Sequence, residues 1–437
     1  MDLLIAFIIF IASMVCCLAI DISMVYALLV GLVLFLYVGM RRGFKLKALY
    51  RMSLSSIRDS LVVIKIMLVI GMLAATWRIS GTITVFVYYG MKVITPPLFL
   101  LIAFLLSCLL SYALGTSFGV SGTVGVIFMA LARSGGVDPV IAAGVIMSGV
   151  YFGDRCSPVS SSAQLVAGIT KTDILKNVKI MFKTAAIPFA VTLAFYTFLS
   201  LRNPIQHVDE SIVSAFENSF SLSVWAFIPA VLMLVLPLVK LSVSKSMWIS
   251  IASGVIISWC VQGADIAEIL KTCIFGYKAT GGELGEILNG GGLVSMIEVC
   301  LILIISSAYS GIFSETKMLE NLQDRLAKAC EKTGRFEIMV ALSIVSACIF
   351  CNQTITTLMC NSILGEAYIK TGGDNQELAI DIENSGILIG CTVPWSIGCT
   401  VPLAFMDAPV SAMLYASYMY LVPIIYIFTK KIWFKNK

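Results

Sequence analysis

Ser148-Gly-Val-Tyr-Phe-Gly-Asp-Arg-Cys-Ser-Pro-Val-Ser-Ser-Ser-Ala-Gln164 packs a carboxylate, a guanidinium, a proline and a tight group of hydroxyls into one short stretch. Apolar residues precede it, and Leu165-Val-Ala-Gly-Ile169 carries the apolar character straight on. Gly153 and Pro158 disfavour a continuous helix here. At membrane depth, charge and freed backbone groups are tolerated only where they face protein or water. The stretch therefore predicts a binding site at a broken helix, in preference to a water-exposed loop.

The rest of the chain supports a membrane setting. Its 437 residues are 59% hydrophobic and 13% charged, against a usual charged share of about 25%. That excludes an ordinary soluble globule and predicts an all-α polytopic membrane protein. At about 20 apolar residues per crossing, the sequence offers roughly ten to twelve membrane segments. The net charge of +5 decides little, because the placement of Lys and Arg matters more. Basic clusters at 41–51, 171–183, 240–245, 317–335 and 430–437 predict a multi-pass protein of the cell membrane with both termini cytoplasmic. Asp2 and the absence of a basic start make residues 3–20 a retained first helix, not a cleaved signal. Cysteines such as Cys16, Cys17, Cys108, Cys300, Cys348 and Cys360 sit inside apolar runs. They read as small hydrophobes, not as a disulfide frame or a metal site.

Read in order, the chain divides in two. Residues 1–200 form a first membrane repeat. Residues 201–223, with His207, Asp209, Glu210 and Glu217, form a polar external linker. Residues 224–437 form a second membrane repeat. Local matches keep their order and near-constant spacing. Ile79-Ser-Gly-Thr82 matches Tyr309-Ser-Gly-Ile312, and Gly115-Thr-Ser117 matches Cys351-Asn-Gln353. Gly135-Gly136 matches Gly372-Gly373. Ser148-Gly149, Gly153 and Pro158 match Ser385-Gly386, Gly390 and Pro394. The basic loops start the first half inside and the second outside. This predicts two inverted-topology repeats with broken or re-entrant helices, the layout of many secondary transporters.

Polar residues inside apolar runs are the site candidates. Asn352-Gln353-Thr354 offers donors and acceptors at an uncharged break. Lys65 and Glu298 occupy corresponding helices, either as an intramembrane ion pair or each facing an aqueous vestibule. Arg155 either meets a substrate carboxylate or reaches the outer interface. Asp407 reads as a helix cap, and Trp77, Tyr88 and Tyr89 as interface anchors. An intramembrane enzyme is the distant alternative. The aspartyl type lacks its Gly-x-Gly-Asp spacing, and His207 is the one histidine. No phosphate loop or dinucleotide fingerprint is present. A channel is disfavoured by the paired breaks.

Ile70-Gly-Met-Leu-Ala-Ala-Thr-Trp-Arg-Ile-Ser-Gly-Thr82 with the residues following to Gly90, Gly115-Thr-Ser-Phe-Gly119 and Ser148 to Pro158 resemble the NhaC family of sodium/proton antiporters. Gly292-Leu-Val-Ser-Met296, Glu383-Asn-Ser-Gly386 and Val393-Pro-Trp395 extend the likeness into the second half. The Gly-Asp-x-x-Ser-Pro core is its most specific part. The family pattern continues that core with Ser-Asp-Thr-Thr-Asn. Here Ser160 is kept, Ser161 replaces the aspartate, Ser162 and Ala163 the threonines, and Gln164 the asparagine. Asn384 stands in place of aspartate, and Ser396 in place of asparagine. The resemblance implies a cation/proton antiporter working by alternating access, not an enzyme. It needs no cofactor beyond Na⁺ and H⁺ as coupling ions. Its partners are the lipid bilayer and a small ion or organic solute, without nucleic acid, and a homodimer is one expected assembly. The alternative is a Na⁺- or H⁺-coupled exchanger of a small organic acid or amino acid, which a hydroxyl-rich site would suit. The expected ion or substrate residues are Asp154, Ser157, Ser160, Ser161, Gln164, Asn352, Gln353, Thr354, Glu383, Asn384 and Ser396, with Na⁺ on Asp154. Lys65, Glu298 and Arg155 are the coupling candidates.

Overall fold

A computed structural model describes residues 2–20, 22–93, 96–205, 216–239, 241–279, 288–316, 330 and 332–434. Asp21, the linker residues His207, Asp209 and Glu210, and the basic residues Lys240, Lys317, Arg325, Lys328, Lys435 and Lys437 lie outside them. The described chain is helical, with one isolated bridge pairing Tyr277 and Gly290. It is an all-α polytopic membrane protein. Among the described residues six helices, or up to seven, are long and apolar enough to cross a membrane by length and composition. The other apolar segments are cut into shorter helices, and the cuts build the site.

Among the described residues ten α-helices make the first half: α1 Asp2–Ile20, α2 Met24–Arg41, α3 Leu46–Ile79, α4 Thr82–Val93, α5 Phe99–Leu114, α6 Ser117–Val120, α7 Val126–Ser134, α8 Pro139–Cys156, α9 Ser161–Thr170 and α10 Ile174–Arg202. A π turn over Ser121–Gly125 joins α6 to α7. The second half has α11 Ile228–Leu238, α12 Val243–Cys260, α13 Ile266–Phe275, α14 Ile297–Thr316 and α15 Arg335–Phe350. It continues with α16 Gln353–Lys370, α17 Asn375–Asn384, α18 Gly386–Ile389, α19 Ile397–Phe405 and α20 Ser417–Trp433.

The breaks follow from capping chemistry, and they recur between halves. Gly115 closes α5 in the left-handed region at φ 64°, and Cys351 closes α15 there at φ 54°. A left-handed residue satisfies the last carbonyls of a helix. The next residue then starts a new helix. Thr116 accepts from the Gly119 amide at 3.2 Å, and Asn352 from the Thr354 amide at 2.9 Å. Asp138 caps α8 as Asp374 caps α17. Ser160 caps α9 as Ser396 caps α19. All four pairs stand at the same offset along the chain. Short polar side chains at these positions take up amides that a helix start leaves free.

Three expectations are corrected. Ile79-Ser-Gly-Thr82 is a turn between α3 and α4, with Gly81 at φ 72°. Tyr309-Ser-Gly-Ile312 instead lies inside unbroken α14. Gly153 does not interrupt its helix. A Cβ on Gly149 would stand 2.5 Å from the Ser107 Cβ, and one on Gly153 would overlap the main chain of Ser111 and Tyr112. These glycines let α5 and α8 pack backbone to backbone. The helix stops only at Ser157, the residue before Pro158, where the proline ring disfavours helical geometry. Trp77 is no interface anchor. It is buried, with its ring N–H donating to Ser250 Oγ at 2.9 Å. Tyr88 donates to Glu217 at 2.8 Å, while Tyr89 stays exposed.

Aromatic packing fixes the opening hairpin. Phe35 meets Phe10, Tyr309 and Phe313 edge-on, with ring centres 5.3, 5.4 and 4.8 Å apart, which clamps α1 and α2 onto α14. Leu4, Ile8, Val33, Leu109, Ile256 and Phe428 remain on the outer surface, as lipid contact requires.

Candidate functional site

Asp154 sits in the last turn of α8, where the helix dipole disfavours an anion. Neutral donors answer that cost. Ser160 Oγ donates to Oδ1 at 3.1 Å, Ser162 Oγ to Oδ2 at 3.1 Å, and Gln353 Nε2 to Oδ2 at 3.2 Å. The Ser160 oxygen also accepts from the Ser162 and Ala163 amides, so the residue that starts α9 ties it to the end of α8. Gln353 comes from the other half, held by a second bond to the Ile387 carbonyl at 3.0 Å. Both broken segments thus close on one carboxylate.

Asp154 faces a cavity of about 440 Å³. Its polar wall carries Thr116, Ser117, Ser161, Ser162, Thr354 and Thr357, and its apolar wall includes Ile66, Met67, Leu165 and Met247. Asp154 is the one charged residue among the described lining. A second cavity, about 460 Å³, shares Val63, Phe118, Gln353 and Thr354 with the first and contains Asn352. Carboxylate, hydroxyl and amide oxygens are the ligands a hard cation takes. A hydroxyl that donates to the bare carboxylate can rotate its lone pairs toward a cation.

The other expected residues separate into groups. Ser157 donates to the Tyr112 carbonyl at 2.6 Å, and Ser396 donates to the Gly390 carbonyl. Both fasten breaks and lie off the cavity walls. Gln164 donates to the Pro158 carbonyl at 3.3 Å, also off the walls. Arg155 reaches neither the outer interface nor the cavity. It is fully buried, donating to Tyr418 at 3.1 Å, Thr184 at 2.9 Å, the Met181 carbonyl at 3.3 Å, and Asn384 Oδ1. Those acceptors from α10, α17 and α20 draw the guanidinium to the opposite side of α8. Glu383 is buried, and neither carboxylate oxygen has a hydrogen-bond partner among the described residues.

Lys65 and Glu298 do not pair. Glu298 accepts from Ser23 at 2.5 Å in the first turn of α14, and Lys65 is exposed on α3. Asp407 is no helix cap. It adopts φ 50° in a turn whose carbonyl accepts from Arg133 at 2.7 Å.

Two features escaped the sequence reading. Ser162 is one, a direct partner of Asp154. The other is a charged cage on α17. Lys430 bridges Glu377 at 2.7 Å and also pairs with Asp381. Arg335 makes a forked pair with Glu377 at 2.9 and 3.0 Å. Tyr368 and Tyr426 donate to Asp381 at 2.9 and 3.0 Å. The spacing of Glu377 and Asp381, one helical turn apart, was the available signal.

An all-α membrane protein whose broken helices converge on a buried carboxylate has the architecture of secondary transporters. Residues 149–430 match the model of the Na⁺/H⁺ antiporter family. The malate-2H⁺/Na⁺-lactate antiporter of Bacillus subtilis is 28% identical over 383 residues, covering 86% of this chain and 82% of that protein. The Na⁺/H⁺ antiporter NhaC of Alkalihalophilus pseudofirmus is 25% identical over 338 residues, covering 76% and 73%. The arginine/ornithine antiporter ArcD of Halobacterium salinarum is 27% identical over 372 residues, covering 82% and 76%. The chain belongs to the Na⁺/H⁺ antiporter family, in its NhaC type, and is a cation/proton antiporter.

Proposed function

We propose that this antiporter exchanges Na⁺ for protons at the Asp154 carboxylate, by alternating access between two inverted membrane repeats. The observation that carries the reading is a buried aspartate on a cavity wall, surrounded by neutral donors and lacking a fixed cation among the described residues. Such a group needs either a proton or a mobile cation to be neutralised. The two ligands compete for it, and competition at one site is the physical basis of exchange. The chemistry uses no cofactor and makes no covalent bond. Residues 1–200 and 224–437 act as the two repeats, and the shared capping pattern supports that division. Val243, Ser244 and Met247 line the cavity next to Lys245. The basic-loop rule puts that lysine, and both termini, on the cytoplasmic side of the cell membrane. The cavity then opens inward.

The test is ²²Na⁺ uptake into proteoliposomes driven by an outward-directed proton gradient. Uptake above protein-free vesicles, collapsing with the gradient, is expected. Uptake indifferent to the gradient would overturn the reading.

A further inference from the structure

Together the two cavities offer more room than a bare cation uses. Each falls in the range of about 300–1,000 Å³ typical of small-molecule sites, where a water's share of liquid volume is about 30 Å³. Val63, Phe118, Gln353 and Thr354 line both. The second is lined by hydroxyls and an amide, Ser56, Ser310 and Asn352, together with the apolar Leu303, Leu358 and Met359. Among the described lining of both, Asp154 is the one formal charge. Arg155, the nearest guanidinium in sequence, is turned away, its two terminal nitrogens donating to Tyr418, Thr184 and Asn384.

We propose that the joined cavities form one site for a primary alkylammonium ion. Its ammonium takes the place of Na⁺ at Asp154, and its uncharged tail passes Gln353 into the second cavity. This rests on Asp154 being the cation site. An ammonium has three donors and no acceptor. Asp154, the Ser162 hydroxyl and Gln353 Oε1 supply acceptors at one point. The Ser162–Gln353 Oε1 contact is long, at 3.4 Å, so that oxygen has capacity to spare. Beyond it, the aliphatic tail lies against Leu358 and Met359, and a terminal hydroxyl meets Asn352 or Ser310. A carboxylate finds no cationic side chain among the described residues of these walls. Unaided anions are therefore excluded.

The experiment is displacement of ²²Na⁺ from purified full-length protein at neutral pH, where alkylamines are cationic. The competitors are ethylammonium, 5-hydroxypentylammonium and 4-hydroxybutyrate. Burying a methylene strengthens binding about fourfold. The longer amine should therefore displace at least tenfold better than ethylammonium, and 4-hydroxybutyrate should not displace. Leu358→Trp should remove the chain-length advantage by filling the second cavity. Ser310→Leu, from the opposite helix, does the same should the first variant fail to fold. An advantage that survives both substitutions, equal displacement by both amines, or displacement by 4-hydroxybutyrate would overturn the proposal. If no amine displaces ²²Na⁺ but Asp154→Asn abolishes ²²Na⁺ binding, the alkylammonium site is wrong and the Na⁺ site stands. If ²²Na⁺ binding survives Asp154→Asn, the underlying reading fails as well.

Discussion

Asp154 and Asp381 are both buried aspartates on inner helices, one in each half, and they are partnered in opposite ways. Asp381 has a fixed cation, Lys430, and two tyrosine hydroxyls. Its neighbour Glu377 shares that lysine and holds Arg335 in addition. Asp154 has two serines and one glutamine. Neutral donors soften the desolvation of a carboxylate without cancelling its charge. A permanent ion pair cancels the charge and leaves nothing for a mobile ion to do. The comparison separates a carboxylate built for structure from one built for exchange, although burial alone ranks them together.

The largest effect should come from removing each charge. Asp154→Asn should lower gradient-driven ²²Na⁺ uptake by at least about 100-fold, a loss on the order of 3 kcal/mol. Its melting temperature in detergent should hold or rise, because a buried charge without a cation is gone. Asp381→Asn should do the reverse, with a lower melting temperature and exchange retained in the folded fraction. Lost coupling in Asp381→Asn at unchanged stability would erase the distinction.

Next is the cage itself. Lys430→Met leaves Asp381 without its cation and Glu377 with Arg335 alone. Breaking a buried pair from one side costs about 3–5 kcal/mol. Lys430→Met with Asp381→Asn should recover part of that, so the two changes should be strongly non-additive in melting or denaturation curves. Additive losses would mean that the lysine contributes only packing.

A smaller effect distinguishes the two aspartates by pH. Na⁺ binds only the ionised Asp154, so protons compete with it directly. As pH falls through the titration of this carboxylate, the apparent KM for Na⁺ should rise, approaching about tenfold per pH unit. Above it, KM should level off. Asp381 variants should keep that profile, measured as initial uptake rates across a pH series. A flat KM in wild-type protein would place proton binding elsewhere, with Glu383, whose carboxylate has no hydrogen-bond partner among the described residues, the next group to substitute.

Much of this contrast was legible in the sequence, for a physical reason. Gly115-Thr116, Cys351-Asn352, Asp138 and Ser160 act on their own backbone within a few residues. Local chemistry therefore announces the breaks. Asp154 stood out because its stretch is polar between apolar runs. What stayed hidden depends on packing between distant helices. Arg155 is adjacent to Asp154 in sequence yet points to α10, α17 and α20, since consecutive residues on a helix face different neighbours. Gly153 looked like a breaker and serves instead to let α5 approach. Lys65 and Glu298 sit on neighbouring helices, but Glu298 meets Ser23 instead. The Asp381 cage draws on four separate helices, and no local pattern names Lys430 as its cation.

The smallest predicted effect tests the neutral donors one at a time. Ser162→Ala deletes one of the hydrogen bonds to Asp154 Oδ2. A hydrogen bond to a charged group contributes about 1.5–3 kcal/mol. The same oxygen, however, is positioned to be a cation ligand when Na⁺ is bound, so its loss weakens both the free ionised state and the Na⁺ complex. The two losses partly cancel, leaving about 1 kcal/mol, or roughly a fivefold rise in KM for Na⁺. The pH effect has a definite sign. Removing a donor that favours the ionised form lets protons bind more tightly, so the plateau in KM should be reached only at higher pH. Ser162→Thr keeps the hydroxyl and should behave as wild type. Ser161→Ala, on the same cavity wall without a bond to Asp154, should change KM less than about twofold. Equal effects from Ser161→Ala and Ser162→Ala would mean that the wall as a whole, and not the hydrogen bond to Asp154, sets the affinity.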